Sequence, residues 1–208
     1  RNDEIVFVDW NTPDHLPTLI QSISDTLTRS CLERLRVVRV RPTMHQLHAL
    51  DSRRPIIEPC ARNTGIRRTN QDNPWILSTN TDVLIVPRGA QTLSEFCSTA
   101  NPKHWFTIPR FSIPDSYWEV FPRTAPATVS DLLRVDAGPL HFQESVVWSR
   151  EMPFDAPGDF QLVSRAELFD IRGFDERMIH GWHVDANLCR RLWQKGVMPS
   201  SAQDYFSI

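Results

Sequence analysis

No two of the four cysteines are spaced as CxxC. Cys31, Cys60, Cys97 and Cys189 lie far apart, so neither a zinc knuckle nor a dithiol redox motif can be read from them. Scattered, reduced thiols lead to the expectation of a cytoplasmic protein. The apolar runs are strand-sized, short of the roughly 20 residues a membrane helix needs, and no signal peptide opens the chain, so no membrane span is expected. Lysine is scarce: of 23 Lys and Arg residues, all but Lys103 and Lys195 are arginine. The net charge of -2 lacks the positive surplus that duplex binding draws on, and nucleic acid is not an expected partner. Abundant arginine suits bidentate contacts to phosphate or carboxylate, but coding bias is the preferred explanation, since planar recognition needs placed residues rather than many.

What is present is ordinary for a folded protein. The 208 residues are 40% hydrophobic and 23% charged, enough for one domain that buries roughly 70% of its unfolded surface without a disulfide or metal staple. The β-rich run Glu4–Asp9 predicts a strand, followed by the turn and cap residues Asn11, Thr12, Pro13 and Asp14. Leu16, Leu19, Ile20, Ile23 and Leu27 recur at helical spacing and predict a helix from His15 to about Ser30. Leu35–Val40 reads as a second strand, Pro55–Glu58 as a short third, and Ala61 to about Asn70 as a helix. Trp75–Ser78 is a strand that ends in Asn80-Thr81-Asp82. Further on come a helix from Leu93 to about Thr99, extended chain at Trp105–Pro109, a strand at Phe160–Ser164 and a helix at Arg165–Ile171 stopped by Gly173. A last helix runs from Asp185 to Gln194, with Leu188, Leu192 and Trp193 at helical spacing and Gly196 at its end. The Pro-rich stretch from Ile113 to Pro157 reads as irregular. Strands alternating with helices imply βαβ units and a mainly parallel sheet.

An open parallel sheet binds ligands at the carboxyl ends of its strands, so polar residues at strand exits are the candidates for function. Asp9, Asn11 and Thr12 follow the first strand, as a ligand contact or a helix cap. Asn80 and Asp82 close the Trp75 strand just before apolar residues resume, where a carboxylate can hold a divalent cation that collects diphosphate oxygens, or can form a turn. Such hard oxygen ligands select Mg²⁺ or Mn²⁺. His180, Trp182, His183 and Asp185 precede the last helix, where an acid with flanking imidazoles can act as base, metal ligand or cap. Trp105, Trp118, Trp148 and Trp182 are rings on which a sugar face could stack or around which a core could pack. Phe111–Pro122 reads as a lid or a structural loop.

Taken in order, these segments resemble the GT-A glycosyltransferases, particularly the large inverting family of the family-2 type. VFVDWNTP looks like the first strand and nucleoside-binding loop, EPCARNTGIRR like the ARNxG segment, and STNTDVLI like the strand ending in the DxD metal motif. LVSRAELFDIRGFDE, the most specific piece, resembles the LxRRexFxxxGGFDE segment, and WHVDANLCRRLWQKG the acceptor-side helix with its ED pair. The match spans residues 4 to 197, without the Pro-rich middle.

The resemblance implies a three-layer GT-A fold, Rossmann-like and α/β with a mainly parallel sheet, as a single domain over residues 1–208. Its nucleotide-binding half would be about 1–100 and its acceptor-side half about 101–208. It implies a metal-dependent transferase that takes a sugar from a nucleotide-sugar, a UDP-sugar by preference, with Mn²⁺ or Mg²⁺. Carried over residue by residue, Asp9, Asn11 and Thr12 lie by the uracil or ribose, Arg62 and Asn63 near the nucleotide, and Gly158 and Asp159 at the donor sugar. Asn80 and Asp82 occupy the DxD positions, with Asp82 on the metal. Asp185 is the base of the ED motif, and Trp182 and His183 face the acceptor. The departures are Asn80 for the first Asp of DxD, Val184 for the Glu of the ED pair, and Asn187 for a later Asp. No His follows Gly196, where many members place a further metal ligand. That ligand is absent, lies beyond residue 208, or is replaced by His180 or His183.

Two other readings stand beside the transferase. One is a silent GT-A domain that binds nucleotide or a partner. The other is a metal-dependent hydrolase built on His180, His183 and Asp185. Donor sugar, acceptor and oligomeric state do not follow from these residues.

Overall fold

The opening apolar run forms β1 (Ile5–Trp10), and the alternating Val and Arg run forms β2 (Leu35–Val40) parallel to it, in register from Ile5 opposite Leu35 to Trp10 opposite Val40. The computed structural model describes residues 3–49, 53–87, 91–108, 110–112, 115–119, 141–144 and 158–207. Two compact units divide them. Unit 1 runs up to Ile76 and includes Arg165–Leu188; unit 2 runs from Leu77 to Ser164 and resumes at Cys189.

In unit 1 the expected long helix after β1 is broken. α1 (Leu19–Ser22), a 3₁₀ turn at Ser24–Thr26 and α2 (Arg29–Arg34) take its place. The cause is capping: Thr18 and Gln21 bond reciprocally in a capping box, and Thr28, itself extended, accepts from the Cys31 N–H and starts a new helix. α3 (Pro42–Ala49) follows β2, a helix no apolar period announced. The strand expected at Pro55–Glu58 is instead the entrance to α4 (Glu58–Ile66), which has Pro59 in its first turn, where a missing N–H costs nothing. Gly65 lets α4 lie close to β1, since a Cβ there would stand 3.1 Å from Val8 Cγ2. α7 (Arg165–Asp170) ends at Gly173, at φ +68°, with the Gly173 N–H donating to Leu168 O.

Unit 2 is built on a four-stranded sheet of order β3-β8-β5-β9. Its strands are β3 (Trp75–Thr79), which starts at the end of unit 1, β5 (His104–Thr107), β8 (Phe160–Ser164) and β9 (Met198–Ser201). β5 runs parallel to β9 and antiparallel to β8. Thr79 meets Asp159 while Pro74 meets Arg165, so β3 and β8 also run in opposite directions. The protein is therefore mixed α/β: the expected parallel sheet carries an antiparallel strand, β8, in its interior. All five β8 residues are buried, as befits a strand covered on both faces. Two smaller antiparallel pairs join β4 (Val86–Pro87) to β10 (Phe206–Ser207) and β6 (Arg110–Ser112) to β7 (His141–Glu144).

α5 (Leu93–Thr99), closed by a Thr92–Glu95 capping box, delivers Phe96 onto Phe106 and Phe206 at ring separations of 5.0 and 5.8 Å. α6 (Asp115–Trp118) is a single turn. α8 (Val184–Gln194) buries Val184, Leu188 and Leu192, one stripe at i, i+4, i+8, and leaves Trp193 at 42% exposure. Trp105 is wholly buried, a core ring rather than a stacking platform. Among the described residues no helix is long and apolar enough to cross a membrane. Trp148 and most of the expected lid, Phe111–Pro122, fall outside the described residues and side chains, as does the side chain of Trp118.

Candidate functional site

In unit 1 the exit of β1 is held by its own residues together with Arg39 of β2. Asp9 is buried and accepts from Thr12 Oγ1 at 2.9 Å. Its other oxygen has no hydrogen-bond donor and faces Arg39 Nε at 3.8 Å. Arg39 Nη2 donates to the backbone oxygens of Thr12, Pro13 and Leu16, so one guanidinium both balances Asp9 and staples the loop after it. Asn11 sits in the left-handed region at φ 64°, which Asn tolerates better than most residues; its N–H donates to Val40 O and its Nδ2 to Pro55 O. Asp9 and Thr12 are thus brought together, and Asn11 is turned toward the α4 entrance. Arg39 was not foreseen, because a lone Arg in a strand carries no local pattern.

The ARNxG and GFDE segments meet. Asn63 on α4 is 1% exposed, accepts from the Phe174 N–H and donates to Phe174 O, each at 2.8 Å, and to Glu176 Oε1 at 2.9 Å. A Cβ on Gly173 would come 2.2 Å from Asn63 Oδ1, so the Asn and the Gly require each other. Asn63 is thereby committed to the loop and does not present its amide to a nucleotide. Arg62 pairs with Glu58 at 2.8 Å and lies 5.4 Å from the Phe174 ring center. On the same helix, burial pushes the Cys60 thiol up, Glu176 adds to this and Arg67 opposes it, so Cys60 is a poor nucleophile at neutral pH. α4 and α7 also flank a cleft of about 260 Å³ lined by Asn63, Ile66, Arg67, Leu168, Phe169, Arg172 and Gly173; it holds no carboxylate.

At the start of α8, Trp182 is 74% exposed, and His180 and His183 are exposed beside it. His183 is held at φ 56°, a strained position for a side-chain-bearing residue, immediately before the helix. Asp185 is half-buried and its Oδ1 accepts from the Ala186 N–H. Val184, at the first position of the ED pair, is 2% exposed and belongs to the core. Among the described residues no three His, Cys, Asp or Glu side chains gather as a metal site, so His180, His183 and Asp185 do not form a built center.

In unit 2 the ends of β3 and β8 converge. Asn80 Nδ2 donates to Asp159 Oδ1 at 2.6 Å, Arg110 Nη1 donates to Asp159 Oδ2 at 2.8 Å, and Thr79 Oγ1 donates to the Asp159 backbone oxygen at 2.7 Å. The Asp159 side chain is 4% exposed, so the pairing with Arg110 offsets a desolvation that would otherwise be costly. Gly158 is half-buried beside it. Asp82 is exposed two residues past Asn80, and no described residue bonds to it. Asn80 and Asp159 are thus brought together, a pairing the sequence did not announce, Asp82 stands apart on the surface, and Arg110 is the residue the sequence did not single out.

Asp82 is one hard oxygen donor, and Asn80 has turned its amide nitrogen to Asp159. Among the described residues this donor set does not make up a resident divalent-cation site. No model of a known protein family matches the chain, and no curated protein matches it.

Proposed function

We propose that the chain is a GT-A-type domain, three-layered and Rossmann-like, that binds a nucleotide-diphospho-sugar and transfers its sugar to an acceptor hydroxyl. The observation that supports this best is that residues to which the resemblance gives a role, distant in sequence, are coupled to partners far along the chain. Asn63 locks onto Gly173–Glu176, and Asn80 onto Asp159. A mixed sheet whose strand ends carry amide and carboxylate groups, with a guanidinium bonded beside them, is the kind of edge at which phosphate ligands bind. Asp82 would hold Mn²⁺ or Mg²⁺ brought in with the donor, and that ion supplies charge neutralisation of the leaving diphosphate. Asp185, half-buried at the start of α8, would take the acceptor hydroxyl proton, and the exposed Trp182 ring with His183 would receive the acceptor's apolar face.

The test is calorimetry with UDP and Mn²⁺. Binding is expected, weakened about tenfold or more in Asp82→Ala, since a charge-assisted contact is worth that much. Absence of heat, or an unchanged affinity in the variant, refutes the reading. In a transfer or donor-hydrolysis assay Asp185→Asn should cost about 10²–10⁴-fold in kcat, the usual contribution of a general base.

One observation favours a second reading, binding without transfer: Val184 is buried where the ED pair has its Glu. Metal-dependent hydrolysis of a UDP-sugar that disappears in Asp185→Asn would exclude it.

A further inference from the structure

Resting on the nucleotide-diphospho-sugar reading, we propose that Arg110 binds the ligand's phosphate and that Asn80 and Asp159 are its positioning residues. The side chain of Arg110 is 34% exposed, while the carboxylate it meets is 4% exposed. Asp159 cannot swing to follow the guanidinium, because Asn80 holds one carboxylate oxygen and Thr79 holds the backbone oxygen of the same residue. The carboxylate therefore orients the guanidinium, and the partly exposed cation stands at the common end of β3 and β8. A guanidinium has five N–H donors in a planar fork, so one side chain can hold both a carboxylate anchor and a phosphate.

The same geometry explains the Asn where the family has the first Asp of DxD. A carboxylate at position 80 would sit at hydrogen-bond distance from the Asp159 carboxylate and compete with it for Arg110. With the amide, Asp159 pairs with Arg110, and among the described residues at this end of β3 Asp82 is the carboxylate placed to accompany a cation. The site is then arranged as one carboxylate for the cation and one guanidinium for the phosphate, rather than two carboxylates for the cation.

Manganese pyrophosphate titrated into the full chain isolates the phosphate contact from the nucleoside. Arg110→Gln should weaken its binding about tenfold or more, with Arg110→Lys, which keeps the charge but loses the fork, in between. Asp159→Asn should weaken it through loss of the anchor while Arg110 remains. Melting curves check folding. If Arg110→Gln does not fold, Arg110→Lys decides, with a loss of at least about threefold required. Binding of both Arg110 variants within about twofold of the unaltered protein overturns the proposal, as does failure of the unaltered protein to bind manganese pyrophosphate. The nucleotide reading fails separately, if UDP binds no more tightly than pyrophosphate.

Discussion

Single side chains carry the departures from the GT-A pattern that the sequence resembles. Asn80 is 2.6 Å from a buried carboxylate oxygen, which makes an N–H donor the required group there. In Asn80→Asp two carboxylates would meet and one would have to stay protonated, which costs about 2 kcal/mol or more at pH 7. Asn80→Ala loses only the hydrogen bond, about 1 kcal/mol. Urea unfolding should therefore rank Asp below Ala at neutral pH, with the gap closing toward about pH 4 as the pair takes up its proton. Equal stability at pH 7 would mean that Asn80 does not donate to Asp159. Arg39 is the comparable case at β1, its guanidinium set beside the buried Asp9 and across three loop carbonyls.

Among the elements, the α7 stop and the α8 stop look alike in sequence, each a Gly in the left-handed region, at φ +68° for Gly173 and +80° for Gly196. Their surroundings differ. Nothing lies within 4 Å of a Cβ built on Gly196, so Gly196→Ala carries only the backbone strain, about 1 kcal/mol. At Gly173 the Cβ would strike Asn63 Oδ1, and the α4 clamp on Phe174 would open as well. Gly173→Ala should destabilise by about 3 kcal/mol or more, from strain plus a buried amide left unpaired. Thermal melts of the two variants separate the contributions. The elements themselves were legible where apolar spacing was strong: β1, β2, β3, α5, β8, α7 and α8 stand within a residue or two of their expected places. The His15–Ser30 helix was misjudged because Thr18 and Thr28 also read as caps, and caps prevailed over a continuous stripe.

For the molecule as a whole, acid stability should depend in part on Glu4, which joins the start of β1 to β2 through Arg36 at 2.8 Å and accepts from the Asn70 N–H beyond α4. Burial pushes its carboxyl up, but the Asn70 N–H and the Arg36 guanidinium together outweigh that and hold it below the ordinary 4.5. The unfolded chain thus takes up the proton first. The stabilisation is complete above about pH 4.5 and is lost as pH falls through the lower folded value. Melting temperatures recorded from about pH 6 to about pH 3 should fall less steeply in Glu4→Gln than in the unaltered protein, and parallel curves would contradict the assignment. Local sequence alone determined the class of most elements and the polar residues at the strand exits, because periodicity and turn chemistry act within a few residues. Only the tertiary structure decided that β8 runs antiparallel, that Asn63 clamps the GFDE loop, and that Arg39 and Arg110 are the counterions of Asp9 and Asp159. Each of those depends on groups brought together from 30 to 111 residues apart, and the burial that makes an ion pair obligatory exists only once the chain has folded.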